Sequence, residues 1–302
     1  MSRPAEHQPP AAQPLYGGQA VLEGVMMRGR SAAATAVRAP DHSIRLDVHT
    51  FETSARRRAA RWPLVRGIFV LIDTLQLGLR SLSFSASVQA GSGQEDLQAS
   101  LAASMVLGIV VGLGLFFLLP AAAAFAVERL LSLPAAAGAL LEGLLRLGLL
   151  LGYLGIIGRV PEIRRVYAYH AAEHKTIHAF EARRPLRVEE VEHFPSEHPR
   201  CGTAFLLTIV VLSILVFAVI GPLPIGWRLF SRLLAVPILA GLAYEYIRWS
   251  AGVVDRAWAK PLVLPNLALQ RLTTRPPDGE MIEVAIAAFE AMRQAETEPR
   301  AG

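Results

Sequence analysis

Apolar residues run along this chain in four long stretches, at about 103–127, 135–157, 204–221 and 229–249, with most charged residues outside them; Glu142 and Arg146 lie inside the second, where their i, i+4 spacing allows them to pair. About 20 such residues at ~1.5 Å each match ~30 Å of hydrocarbon, so each stretch is expected to be a membrane span. A fifth stretch, 63–85, has a different pattern. Ile68, Leu71, Ile72, Leu75, Leu79 and Leu82 recur on one side, while Asp73 and Arg80 interrupt it. This predicts an amphipathic helix lying at the interface. The alternative, a fifth span, would carry Arg56, Arg57, Arg58 and Arg61 to the outside, against the positive-inside rule. Upstream, over 15–52, the period changes. Gly17 to Gly29 mixes glycines with apolar residues, and Ala34–Arg38 and Ser43–Val48 alternate around Pro40-Asp41-His42, a hairpin pattern. Residues 1–14 form a Pro- and Ala-rich tail expected to be disordered, and 86–100 read as a polar linker. A last amphipathic helix is expected from Gly279 to Gln294, with Asp278 as its N-cap.

Orientation follows from the basic residues. Segment 158–203, between the second and third spans, holds Arg159, Arg164, Arg165, Lys175, Arg183, Arg184, Arg187 and Arg200, whereas the other two loops carry Arg129 and Arg228 and little else. This segment and both termini are therefore expected in the cytoplasm, including the tail 250–302. The composition agrees: 53% of the 302 residues are hydrophobic and 18% charged, below the usual quarter, and mean hydropathy is +0.38. The net charge of +5 belongs to residues flanking spans. No basic stripe is interleaved with aromatics, so nucleic acid is excluded as a partner. The expected fold is mainly α: a polytopic helical integral membrane protein with a small N-terminal cytoplasmic β element. Its partners are the lipid bilayer and, as candidates, other membrane proteins. No cleavable signal peptide is readable, and the single cysteine, Cys201, excludes an intramolecular disulfide.

The chemistry concentrates in segment 158–203. Pro161 suits a helix first turn, and the helix is expected to run from Glu162 to about Ala182. On it His170-Ala171-Ala172-Glu173-His174 has the H-x-x-E-H order of inverted zincins. Two imidazoles at i, i+4 share a face and can grip one ion, with Glu173 placed as the water-activating base. His178 continues the row but reads as a surface residue. His198 and Cys201 stand three apart before the third span, and imidazole with thiolate suits zinc. Glu245, near the cytoplasmic end of the fourth span, is a further candidate ligand, with Arg248 at i+3 as its alternative partner. Lys175 and Arg200 are candidate contacts for an anionic substrate or an oxyanion. The glycine-rich stretch lacks G-x-G-x-x-G or a Walker lysine and reads as tight backbone packing.

Gly17 to Gly29, Tyr169 to Thr176, His198-Pro199-Arg200-Cys201-Gly202-Thr203 and Leu272-Thr273-Thr274-Arg275-Pro276 together resemble the YqhQ-like family of bacterial membrane proteins, from about Tyr16 to Ala288. Ala171 departs from the pattern, where a glycine is common. The resemblance implies a bacterial inner-membrane protein from a family of unknown function, whose members are often labelled predicted metal-dependent enzymes. Two functions remain open. In one, His170, His174 and Glu245 hold a divalent metal, with zinc expected, and Glu173 is the base of a hydrolase acting on a peptide segment or a lipid headgroup. In the other, His170, His174, His198 and Cys201 close a structural zinc site in a non-enzymatic membrane adaptor. A transporter is disfavoured, because the spans hold few polar residues and no internal repeat is visible.

Overall fold

The computed structural model describes residues 16–51, 65–90, 94–221, 223–253 and 256–297. The tail 1–14 and the arginines at 56–58 and 61 lie outside them. Four strands, β1 (Gly17–Val21), β2 (Gly24–Arg28), β3 (Ala32–Arg38) and β4 (Ile44–Thr50), form an antiparallel meander in chain order. The helices are α1 (Val65–Ala90), α2 (Gln94–Leu113), α3 (Leu119–Leu130), α4 (Ala135–Ile157), α5 (Pro161–Glu181), α6 (Val188–Val191), α7 (Ala204–Ile220), α8 (Ile225–Ala251), α9 (Lys260–Thr273) and α10 (Gly279–Thr297).

The expected hairpin is present as β3 and β4, in register from Arg38↔Ile44 to Ala32↔Thr50, with His42 at φ 63° in its turn. The glycine-rich stretch is itself a hairpin. Val21 pairs with Gly24 around Leu22-Glu23, and Glu23 takes φ 51°. A Leu-Glu turn carries no sequence signature; what holds it is tertiary, since Arg165 grips the Glu23 carboxylate at 2.5 Å and Tyr169 donates to it at 3.3 Å.

Both faces of β2 and β3 are covered. Tyr169, Ala172 and Ile177 of α5 pack with Met281, Ile282, Phe289 and Met292 of α10 against Val25, Met27 and the alanines at 32, 34 and 36. Small strand side chains let the helices approach closely. Asp278 caps α10 as expected, accepting from Met281 N–H at 2.9 Å. The other face meets α1 through polar contacts: Ser81 with Thr35, Ser85 with the Leu22 carbonyl, Gln89 with the Arg38 carbonyl and Arg80 with Asp47.

Among the described residues, four helical segments are long and apolar enough to cross a membrane: Arg66–Ala90, Ala103–Leu130, Ala136–Ile157 and Ile225–Ser250. Helix α7 is equally apolar but has 17 residues. Two boundaries differ from expectation. The linker at 86–100 is mostly helical, because α1 continues to Ala90 and α2 begins at Gln94 in a run of good helix formers. Helix α8 begins at Ile225, so Arg228 lies in a helix rather than a loop.

Among the described residues, the apolar helices enclose a charged network centred on Glu142. Glu142 and Arg146 pair at 2.9 Å across one turn of α4. The same carboxylate receives Arg232 at 2.8 Å and Arg228 at 3.1 Å from α8, and Arg228 also binds Glu128 of α3 at 2.6 Å. Between α2 and α3 the helix opens into a π turn, Gly114–Leu118. Pro120 has no N–H to offer the Phe116 carbonyl four residues back, and Arg146 Nε donates to that carbonyl instead at 2.8 Å. Arg146 completes its set on Ser213 of α7 at 2.7 Å. The network ties four helices together with each guanidinium satisfied, as a low-dielectric interior requires.

Candidate metal centre

Helix α5 turns one face to the sheet core and the other, carrying His170, His174 and His178, to the segment that returns towards α7. That segment is pinned to α5 by Lys175, whose ammonium donates to the Glu192 and Phe194 carbonyls. Lys175 is therefore spent on backbone and does not line the cleft beside the histidines.

The returning segment brings Cys201 to the histidines. One ring nitrogen each of His170 and His174 and the Cys201 sulfur lie within 4.8 Å of one another. His170 Nδ1–H donates to the Thr273 carbonyl at 2.9 Å, an orphan acceptor in the last turn of α9, and its Nε2 stands 3.1 Å from the sulfur. His174 Nδ1–H donates to the Ser196 carbonyl at 2.6 Å. A carbonyl on Nδ1 selects the tautomer that presents Nε2 as a metal ligand. The buried His174 Nε2 has no well-aligned hydrogen-bond partner. Two imidazole nitrogens and a thiol form a donor set suited to zinc.

Glu173 points the other way, towards β1. The backbone of Gly18 hydrogen-bonds to the carboxyl group, and a Cβ at Gly18 would come within 3.0 Å of Glu173 Oε1 and 2.4 Å of the Met26 carbonyl. Only glycine lets the strand approach so closely. Glu173 Oε2 is buried without a hydrogen-bond partner. Burial, with a further contribution from the Cys201 sulfur, pushes this carboxyl up to about 8. Burial holds His174 below its ordinary value. For Cys201, burial works upward, but the contact with His174 and the Thr203 hydroxyl 3.2 Å away outweigh it and bring the thiol below its usual range.

His198 does not join these ligands. Its ring groups with His178 and Glu181. Its Nδ1 accepts the Arg200 backbone N–H at 3.2 Å, and its Nε2 faces Glu181 Oε2 at 3.4 Å. With Nδ1 an acceptor, the proton sits on Nε2, which therefore has no lone pair for an ion. Burial drives His198 down to about 4. Gln270 of α9 fixes its backbone by bonds to both N–H and carbonyl, at 2.8 and 2.9 Å. Arg200 pairs with Glu181 and lines the cleft. Glu245 is held apart by Arg66 of α1, whose Nε donates at 2.6 Å. The residues thus divide: His170, His174 and Cys201 converge, Glu173 lines the cleft beside His174 and Cys201, His198 lines the same cleft but turns its ring to His178 and Glu181, and Glu245 is engaged by Arg66. Gly18, Thr273, Gln270 and Arg66 were not expected at the site. Thr273 stands in one of the quoted motifs, but a main-chain acceptor leaves no trace in a side-chain pattern.

A cleft of about 400 Å³ runs past this centre, between β1, β2, the Cys201 segment and the ends of α1 and α8. A family of proteins of unknown function, DUF1385, matches residues 62–295. The Uncharacterized protein YqhQ of Bacillus subtilis (strain 168) is 33% identical over 298 residues, covering 94% of this chain and 93% of its own length. The chain belongs to the DUF1385 family. No solved structure matches it.

Proposed function

We propose that this chain is a multi-pass bacterial inner-membrane protein carrying a metal-dependent hydrolytic centre at its cytoplasmic face. His170, His174 and Cys201 would hold a divalent ion, with zinc the best fit, and Glu173 would be the general base. The observation that carries this reading is the pair of imidazoles, each anchored at Nδ1 by a main-chain carbonyl, meeting a thiol beside an unpartnered carboxyl oxygen. Three protein donors beside a cleft match a catalytic rather than a closed structural site. The ion would supply Lewis acidity at the reacting centre. The chain's own groups do the remainder. Gly18 orients Glu173 so that, once ionised, its Oε2 is left to take the proton of an attacking water, and Thr273 and Ser196 keep the imidazoles in the ligand tautomer. The adaptor reading needs His198 as a fourth ligand, and its Nε2 proton opposes that.

Glu173→Gln separates the two readings. The variant should keep its metal and lose about 10²- to 10⁴-fold in turnover, the usual contribution of a positioned base. Unchanged turnover on a substrate that the wild type cleaves would remove Glu173 from the chemistry.

For the membrane, we read α2–α3, α4, α7 and α8 as the crossings and α1 as interfacial. From Thr74 to Gln89 helix α1 is occupied with the sheet, through Arg28, Thr35, Leu22 and Arg38. Helix α7, about 25 Å long by rise alone, is uncharged and packs between α4 and α8. Reporter fusions at Gly91, within 183–196 and at the C-terminus should then report cytoplasm, and fusions at Ser132 and Pro224 the outside. An external Gly91 would make α1 a span and overturn this arrangement.

A further inference from the structure

We infer that the ligand of the cleft is an anionic phosphate group carried by a membrane phospholipid, an assignment that rests on the hydrolytic centre proposed above. The lining supplies the charge argument. Three guanidinium groups, Arg28, Arg200 and Arg248, face one carboxyl group, Glu173. Arg200 is balanced by Glu181. Arg28 donates to the Thr74 hydroxyl at 3.3 Å and lies over the Phe51 ring. Arg248 is exposed and makes no hydrogen bond or ion pair among the described residues. The exposed charge of Arg248 therefore favours an anion at this cleft, and guanidinium groups match phosphate geometry.

The position of the cleft supplies the lipid argument. Arg248 sits in the last turn of α8, beside Trp249, which lies 6.0 Å from Trp258 and 5.9 Å from Tyr246. Trp249 and Trp258 are about half exposed, at 48% and 53%. Clustered tyrosine and tryptophan at the end of an apolar helix mark headgroup depth, so a phosphate at Arg248 lies where a phospholipid carries its own. Met26, Ile177 and Ile247 provide apolar wall for the glycerol and first acyl carbons. A peptide is the weaker candidate. Strand addition would need the open edge of β1, which α5 covers and whose Gly18 is bonded to Glu173.

Binding is tested on full-length protein in dodecyl maltoside by native mass spectrometry and thermal shift. The probes are dioleoylphosphatidylglycerol, dioleoylphosphatidylcholine, glycerol 3-phosphate and inorganic phosphate. The anionic lipid should bind saturably, at least about tenfold tighter than the zwitterionic lipid and the two soluble phosphates. Arg248→Gln should weaken it about tenfold, and Arg28→Gln with Arg248→Gln should abolish the preference, with folding confirmed by an unchanged melting temperature in lipid-free detergent. Equal affinity for both lipids, or retention of the preference in the double variant, would overturn the assignment. Binding of glycerol 3-phosphate or inorganic phosphate as tight as the lipid would overturn it in favour of a soluble phosphate. Displacement of the lipid by an extended decapeptide with loss of the arginine dependence would overturn it in favour of a peptide. Binding is read without turnover or metal content, so a failed hydrolase assay with intact lipid preference, or the reverse, tells the two proposals apart.

Discussion

Purified wild-type protein should carry about one zinc-like ion per chain, and His174→Ala should reduce this to background. Loss of a group that merely orients a ligand costs about 10- to 100-fold in metal affinity, so loss of a direct ligand should cost more than about 100-fold. His170→Ala and Cys201→Ser should behave in the same way, since all three donors converge. Two controls sharpen the result. Glu245→Gln should leave metal content unchanged, because that carboxylate is committed to Arg66. His198→Gln should retain most of the ion, because its Nε2 faces Glu181. X-ray absorption at the metal edge should show one sulfur at ~2.3 Å. Full stoichiometry in His170→Ala with His174→Ala, or an all-nitrogen-and-oxygen shell, would refute the assignment.

The second large effect is expected far from the site. Glu142→Gln should destabilise the protein by about 3–5 kcal/mol, the usual cost of breaking a buried ion pair from one side. The amide would leave Arg146, Arg228 and Arg232 around a neutral group, with Glu128 the remaining carboxylate in the network. Arg184 and Glu190 form an exposed pair, and Glu190→Gln should cost no more than about 1 kcal/mol. Equilibrium unfolding in mixed micelles measures both. A loss below about 1 kcal/mol for Glu142→Gln would mean that the cluster does not hold α3, α4, α7 and α8 together.

Local periodicity made much of this protein readable. The α5 boundaries, the shared face of His170 and His174, the Asp278 cap, the β3–β4 hairpin and the Glu142–Arg146 pair all follow from spacings of four residues or fewer, or from a turn and its flanking alternation. Such relations are set by backbone geometry, so they survive whatever the chain does elsewhere. The apolar lengths of the α2–α3, α4 and α8 stretches were equally legible, because hydropathy is a property of the segment itself.

The allocation of ligands was not. Cys201, His198 and Glu245 were all chemically able to complete a metal site, and the folded chain gives each a partner remote in sequence: Cys201 lies beside His170, 31 residues away, and Glu245 pairs with Arg66, 179 residues away. His198 was decided by a proton position, set when the neighbouring Arg200 N–H fell on Nδ1 and Gln270 locked the backbone. Arg228 looked like a loop charge until α8 began early enough to bury it on Glu142. A side chain's type states which bonds it can make, and a helix or strand states which way it faces. Which bond it does make depends on the competing partner brought within 3 Å by packing, and that competition exists only in the folded chain.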